Sequence, residues 1–215
     1  MAAIVPTVLT DDPAVFQAQI EEYKTFSRRI QIDASDGTFA PSATVPLNSI
    51  QIPEGVNADI HVMSARPSEH LATILALKPS LCIMHAEVDD NLAGLTTELH
   101  NAGIKVGLAL LKGTFPGKVK DLIVNVDHIM IFAGDLGHQG GNIDMLQIEK
   151  VPLIRAIKPD VEIGWDGGAN LSNVRALAHA GIDVINIGSA LSRAADKAAM
   201  YQSLVAESEK KGVLV

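Results

Sequence analysis

Short apolar runs, many of them β-branched, recur along the chain and alternate with segments of helical pattern. Most positions within each run are apolar, as in parallel strands that are covered on both faces. The pattern predicts strands at Ile4–Leu9, Arg29–Asp33, Ala58–Met63, Leu81–His85, Lys105–Leu110, His128–Phe132, Val161–Trp165 and Val184–Ile187. Eight such strands are the number found in a closed (β/α)₈ barrel.

The segments between the strands carry helix-start signals. Asp12 and Pro13 suit an N-cap followed by proline at the first helical position. Asn91 can cap a second helix, and Leu171 or Ser172 opens a later one. The phrases NAGIKVGLAL and HAGIDVINIG share one form, in which a helix stops at glycine and the next strand begins. We therefore expect repeated helix-to-strand joints, as in a βα array.

The chain is α/β, and the choice lies between a barrel and an open doubly wound sheet. An open sheet would normally show a glycine-rich fingerprint after its first strand. Here the first strand runs into Thr-Val-Leu-Thr at residues 7–10, with no glycine. The stretch TFAPSATVPLNSIQIPEG after the second strand predicts a long loop with at most a short helix. The prediction is a single-domain (β/α)₈ TIM barrel over residues 1–215.

Composition narrows the class of protein. The chain has 215 residues, 47% of them hydrophobic, which is enough to bury a core and argues against disorder. Its 17 basic and 25 acidic residues give a net charge of −8, unlike a nucleic-acid binder. A single cysteine fits a reducing cytoplasm. No apolar run reaches the roughly 18 residues of a membrane helix, so we expect no membrane partner. Because the net charge is acidic, we expect no nucleic-acid partner either.

Polar side chains stand at the ends of several apolar strands, where a barrel of this kind has its active site. They are Gln31, Asp33, Asp36, His61, His85, Glu87 and Asp166. A charge at the end of an apolar strand is costly unless it is paired or binds a metal. Two carboxylates and an imidazole, Asp33, Asp166 and His61, suit a divalent metal with mixed nitrogen and oxygen ligands. They equally suit proton transfer by two carboxylates on opposite faces of an enediolate.

Glycine-rich loops follow the last three predicted strands. They are GDLGHQGG at residues 134–141, Gly167-Gly168 and Gly188-Ser189. Glycine permits close approach of the backbone to a ligand, and backbone N–H groups attract anions. Phosphate binding by the loops after strands seven and eight recurs in these barrels. We therefore expect a phosphorylated ligand.

The stretches QIDASDGTFAPS, DIHVMSARP, MHAE, KVGLALLKGT, WDGG and IGSAL together resemble the ribulose-phosphate 3-epimerase family, over a range from Pro6 to about Arg193. The resemblance implies a (β/α)₈ barrel that binds a divalent metal, whether Zn²⁺, Fe²⁺, Mn²⁺ or Mg²⁺. It implies inversion of C3 of a phosphorylated ketose, most simply ribulose 5-phosphate to xylulose 5-phosphate. We also expect a homo-oligomer.

The resemblance assigns roles to individual residues. It makes Asp33 and Asp166 both the acid/base pair and metal ligands, and His61 a metal ligand beside the substrate. It places Thr7, Met63 and Met130 around the sugar. It implies phosphate contacts from the three glycine-rich loops, at Gly137, Gln139, Gly140, Gly141, Gly167, Gly168, Gly188 and Ser189.

Several positions depart from the family. Gln31 stands where the family has its first metal-ligand histidine, and could add an amide oxygen to the metal or only hydrogen-bond to Asp33. Ser35 replaces a methionine. Other residues near the site have no assigned role; they are His85, Lys112, Asp135 and His138.

Two other interpretations remain open at this point. One is a sugar-phosphate aldolase or decarboxylase of the wider ribulose-phosphate-binding barrel group. Those enzymes carry an Asp-x-Lys-x-x-Asp pattern, whereas residues 33–36 here read Asp-Ala-Ser-Asp, with no lysine. The other is a non-catalytic sugar-phosphate binder, which Gln31 favours and the pair of aspartates opposes.

Overall fold

A computed structural model describes residues 1–138, 140 and 143–211. Eight parallel strands close into a barrel in chain order, and β8 pairs with β1. The strands are β1 Ala3–Val8, β2 Arg29–Ser35, β3 Asn57–Met63, β4 Leu81–His85, β5 Lys105–Leu110, β6 His128–Phe132, β7 Glu162–Asp166 and β8 Val184–Ile187. The predicted barrel is therefore confirmed, and each predicted strand is present within two residues of its expected ends.

Helices lie between and after the strands. Their bounds are α1 Pro13–Tyr23, α2 Leu71–Leu77, α3 Leu92–Asn101, α4 Lys120–Ile123, α5 Lys150–Ile157, α6 Val174–His179, α7 Ser189–Ser192 and α8 Lys197–Ser208. Short 3₁₀ helices occupy Leu47–Ser49, Pro67–His70, Pro116–Val119 and Met145–Glu149. In the described part of the chain, no helix has the length and apolar character needed to cross a membrane.

The predicted helix starts hold at two places and shift at a third. The Asp12 carboxylate accepts from the backbone N–H groups of Ala14 and Val15, and the Asn91 side chain caps α3. The helix expected from residue 171 or 172 begins only at Val174. The residues before it form a turn instead. In this turn the side chains of Asn170 and Asn173 accept backbone hydrogen bonds, so they do not cap a helix that starts at residue 171 or 172. The long loop after β2 contains only one 3₁₀ turn, as expected.

Strand register determines which polar side chains meet inside the barrel. Thr7 on β1 is in register with Gln31 on β2, and Asp33 on β2 is in register with His61 on β3. Because alternate residues of a strand face the same side, Gln31 and Asp33 project together. Asp166 ends β7, which is separated from β2 by β8 and β1 around the closed barrel. The strands therefore bring Asp33, His61 and Asp166 to the same end of the barrel.

Candidate active site

The side-chain amide of Gln31 joins the two aspartates. Its Nε2 lies 2.9 Å from Asp33 Oδ1 and 2.8 Å from Asp166 Oδ2. A primary amide has two N–H groups, and here each has a carboxylate acceptor. The opposite atom of the amide, Oε1, is buried and has no hydrogen-bond partner among the described residues. Gln31 thus holds carboxylates from β2 and β7 together at the cost of one unpaired oxygen.

His61 approaches the same two carboxylates. Its Nδ1 lies 3.0 Å from Asp33 Oδ1 and 3.8 Å from Asp166 Oδ2, and its ring is fully buried. Burial alone would lower the pKa of His61. The hydrogen bond to Asp33, together with the charges of Asp33 and Asp166, outweighs burial and raises the pKa above its usual value. The imidazole is therefore positioned to carry a proton toward the carboxylates when no metal is bound.

The charged form of the Asp166 carboxyl is disfavoured in this site. Burial, followed by the nearby charge of Asp33, raises the pKa of Asp166 to about 7. His61 and the hydrogen bond from Gln31 act in the opposite direction and only partly compensate. Two carboxylates in one site cannot both ionise easily, so Asp166 can retain a proton near neutral pH. An acid and a base of the same residue type can thus coexist here.

Behind His61 lies a second buried histidine. His85 Nε2 is 2.8 Å from His61 Nε2, and His85 Nδ1 is 3.5 Å from Glu87 Oε2. Burial lowers the pKa of His85 to about 4, so this ring is neutral at physiological pH. The backbone N–H of Leu111 donates to the other Glu87 oxygen at 2.9 Å. His85 and Glu87 therefore support His61 from the side away from the aspartates.

A pocket opens at this end of the barrel and is lined by most of the predicted site residues. Its lining includes Thr7, Asp33, His61, Met63, Gly137, Gly140, Asp166, Gly167, Gly168, Gly188 and Ser189. His138, left without a role by the sequence, also lines it. The glycine-rich loops and the two aspartates thus face one common space, as a phosphorylated ligand would require.

Some glycines here are also required by packing. A side chain on Gly167, whose φ is +110°, would collide with the backbone of Gly134. A side chain on Gly168 would meet Ile143 Cβ at 2.6 Å. The loops after β6 and β7 are therefore in close backbone contact, and their glycines serve the wall of the pocket as well as any ligand in it.

A few predicted residues lie elsewhere. Met130 is fully buried and packs with Ala109 and Phe132 in the barrel interior, outside the pocket lining, so its place beside the sugar stays a prediction. Lys112 forms an ion pair with Asp135 at 3.2 Å. Gln139 and Gly141 fall outside the described residues.

Sequence reasoning missed one polar residue of the pocket. Asn186 lies in β8, is 3% exposed and lines the same space as Thr7. The signal was present, because asparagine is the single polar residue in the otherwise apolar strand Val-Ile-Asn-Ile. Phe132, at the end of β6, also lines the pocket, although the sequence predicts it only as part of a strand.

The donor set fits a divalent metal. One atom each from Asp33, His61 and Asp166 lies within 4.8 Å of the others, close enough to share an ion. Three protein ligands with an open position are typical of a catalytic metal. The unpaired Gln31 Oε1 is a fourth potential oxygen ligand, since rotation of the amide would exchange Oε1 and Nε2. With the amide oriented as described, N–H donors instead face both carboxylates.

Comparison with known proteins agrees with this geometry. The model of the ribulose-phosphate 3 epimerase family matches residues 3–192. A ribulose-phosphate 3-epimerase of Helicobacter pylori is 26% identical over 208 residues, covering 94% of this chain and 95% of that protein.

Among solved structures, Mycobacterium tuberculosis tryptophan synthase matches with a TM-score of 0.73 at 12% identity, covering 98% of this chain and 93% of that one. A 3-hexulose-6-phosphate synthase of Salmonella typhimurium matches with a TM-score of 0.64 at 15% identity, covering 96% and 98%. Identities this low show a shared fold and nothing about the reaction.

Proposed function

Since the chain belongs to the ribulose-phosphate 3-epimerase family, and is thereby an isomerase, we propose that it inverts C3 of ribulose 5-phosphate to give xylulose 5-phosphate. One observation carries the proposal. Asp33 and Asp166 come from different sides of the barrel, and a single amide, that of Gln31, bridges them in a pocket lined by glycine loops.

Epimerisation at a carbon next to a carbonyl needs one base and one acid on opposite faces of the substrate. Asp33 lies on β2 and Asp166 ends β7, and we infer that a planar enediolate binds with one of these carboxyls on each face. One carboxylate removes the C3 proton, and the other carboxyl returns a proton from the opposite side. No atom is gained or lost, and the two aspartates exchange protonation states in each turnover.

The protonation states of the pair suit this exchange. Without a metal, the pKa of Asp166 is raised to about 7, which allows that carboxyl to hold a proton at neutral pH. Efficient acid/base catalysis needs groups whose pKa values lie near the working pH. The reverse reaction then starts from the other protonation state of the pair, in which the proton is on the other aspartate.

A divalent metal would be held by Asp33, His61 and Asp166, with Gln31 Oε1 as a further oxygen ligand after rotation of the amide. When bound, it would supply positive charge close to the substrate oxygens. Hard ligands predominate in this set, which favours Mn²⁺ or Mg²⁺ more than a site with two histidines would, but Zn²⁺ and Fe²⁺ remain candidates.

The phosphate would bind at the glycine end of the pocket, near Gly168, Gly188 and Ser189. The guanidinium of Arg193 adds positive charge at this end of the pocket. It lies against Gly140, since a Cβ built on that glycine would be 3.0 Å from Arg193 Nη2. Positive charge beside glycine-rich loops, whose backbone N–H groups can donate hydrogen bonds, suits a phosphate dianion. The homo-oligomeric state and the cytoplasmic location stay predictions.

Aldolase or decarboxylase chemistry is less well supported. The 3-hexulose-6-phosphate synthase shares the barrel, but residues 33–36 of this chain have no lysine between their two aspartates. A direct test incubates the purified protein with ribulose 5-phosphate, with and without added Mn²⁺, Mg²⁺ or Zn²⁺, and measures xylulose 5-phosphate. Product is expected. Release of a shorter sugar or of carbon dioxide from related sugar phosphates would favour the alternatives.

A further inference from the structure

Asn186 is a buried amide with no partner for its oxygen. It is in register with Val5 on β1 and is 3% exposed, yet its Oδ1 has no hydrogen-bond partner among the described residues. Interior positions of these barrels are dominated by branched apolar residues, and a buried polar atom is costly when left unpaired. The unpaired Oδ1 of Asn186 therefore indicates a ligand that donates a hydrogen bond to it.

Thr7 presents a second unpaired atom on the neighbouring strand. Its Oγ1 is buried without a partner in the described part of the chain, and it lines the same pocket as Asn186. Thr7 lies two residues beyond Val5, about 7 Å farther along β1 than the position paired with Asn186. The walls of β8 and β1 thus offer two unpaired oxygen atoms to one cavity.

Asn186 adjoins the glycine end of the pocket along the chain, and Thr7 adjoins the aspartates through its neighbour Gln31. Asn186 precedes Gly188 and Ser189, at the glycine end, by two and three residues on the same strand and its loop. Thr7 is in register with Gln31, which contacts both aspartates. A ligand that reaches from the glycine loops to the aspartates would pass along this wall.

We propose that Asn186, together with Thr7, binds the C4 hydroxyl of the sugar phosphate and so determines which sugars the site accepts. This inference rests on the proposed function, in which C3 lies between the aspartates and C5 carries the phosphate. C4 is then the carbon between them. The C4 hydroxyl donates a hydrogen bond to Asn186 Oδ1 and also contacts Thr7 Oγ1 on the adjacent strand.

The test compares ribulose 5-phosphate with its 4-deoxy analogue through kcat/KM. A site built around a hydroxyl rejects the analogue that lacks it, because buried groups are left unpaired. We expect the parent protein to prefer the hydroxylated sugar by about ten- to a hundredfold. Asn186→Leu should lose most of that preference. Its kcat/KM for ribulose 5-phosphate should fall, while its kcat/KM for the 4-deoxy analogue should change by less than about twofold.

Two further variants make the result decisive. Asn186→Asp retains acceptor oxygens of the same shape and should keep the preference, even if its added charge lowers affinity for both sugars. Ile187→Leu, a volume-conserving change on the same strand, should leave both rates unchanged. Thermal melting of each variant shows whether it is folded. If Asn186→Leu is not, a third variant, Thr7→Val, which removes the second unpaired oxygen from this wall, should lower the preference instead.

The outcomes separate the two levels of the argument. If Asn186→Leu loses activity on both sugars equally, or on neither, the residue does not read the C4 hydroxyl and the inference is overturned. Loss of the preference in Asn186→Asp would also overturn it. If the parent protein converts neither sugar with or without metal, the proposed function fails, and this inference fails with it for that separate reason.

Discussion

His61 and His85 are joined through their Nε2 atoms at 2.8 Å, so one proton lies between two imidazoles. His85 is neutral and its Nδ1 faces Glu87 at 3.5 Å, which favours the His85 proton on Nδ1. The proton between the rings then belongs to His61. This leaves His61 Nδ1, the atom that faces Asp33, available to bind a metal.

His85→Phe should therefore weaken metal binding without altering any ligand. The phenyl ring keeps the contact with Phe39, now 4.6 Å between ring centroids, but cannot accept the His61 proton. Loss of such a supporting group typically costs about 10–100-fold in metal affinity. Competition titration with Zn²⁺ measures it, and ¹⁵N shifts of His61 report the tautomer. Unchanged affinity with an unchanged tautomer would show that His85 only packs.

Gln31→His should tighten Zn²⁺ binding by about tenfold or more, because an imidazole nitrogen replaces an amide whose N–H groups now face the carboxylates. The same competition titration measures the change. Gln31→Leu is the matched control, since it removes the amide and adds no ligand. If Gln31→His binds Zn²⁺ no better than the parent, the side chain at this position does not reach the metal.

Asp33→Asn and Asp166→Asn should each lower turnover by about 10²–10⁴-fold, the usual range for loss of an acid/base group. Each keeps the shape of its side chain, so the fold should persist in a melting experiment. Steady-state kinetics on ribulose 5-phosphate provide the measurement. A variant with near-normal kcat would remove that aspartate from the mechanism.

Much of this site follows from the sequence because strand ends of a (β/α)₈ barrel meet at one edge. Asp33, His61 and Asp166 were each recognisable as polar residues at the end of an apolar strand, and their convergence follows from the topology. The bridge from Gln31 to Asp166 was not visible, since it depends on the distance across the barrel. Asn186 was overlooked because one polar residue inside a strand carries no motif.

The opposite end of the barrel was not predicted at all. Arg29 donates two hydrogen bonds to Glu162, at 2.8 Å each, and one to Asp59 at 2.6 Å. His128 Nδ1 lies 2.7 Å from Glu162. These residues are far apart in the chain, and a charge at the start of a strand resembles an ordinary surface residue until the barrel is closed.

This network predicts a pH-dependent loss of stability. Burial alone would raise the pKa of Glu162, but hydrogen bonds from Arg29 and His128 outweigh it and hold the pKa well below its usual value. A depressed folded-state pKa stabilises the protein above the unfolded pKa of about 4.5, and this contribution is lost as the pH falls below it. Asp59 opposes the trend, because burial raises its pKa despite the nearby Arg29.

Glu162→Gln should lower the free energy of unfolding by about 1 kcal/mol at pH 7, or roughly 2–4 °C in melting temperature. The value is modest because the Glu162 side chain is 37% exposed. Melting curves of both proteins between pH 3 and 7 provide the measurement. The difference should shrink below pH 4.5, and a constant difference across that range would assign it to packing.

The most direct measurement is proton exchange at C3 of ribulose 5-phosphate in D₂O, followed by ¹H NMR. Removal of the C3 proton by one aspartate and return of a solvent-derived deuteron by the other predict xylulose 5-phosphate labelled at C3, with no label at C4. Asp33→Asn and Asp166→Asn should each slow formation of labelled xylulose 5-phosphate by about 10²–10⁴-fold. Conversion without label at C3, or no loss of the C3 proton with any of the four metals, would contradict the two-aspartate epimerase.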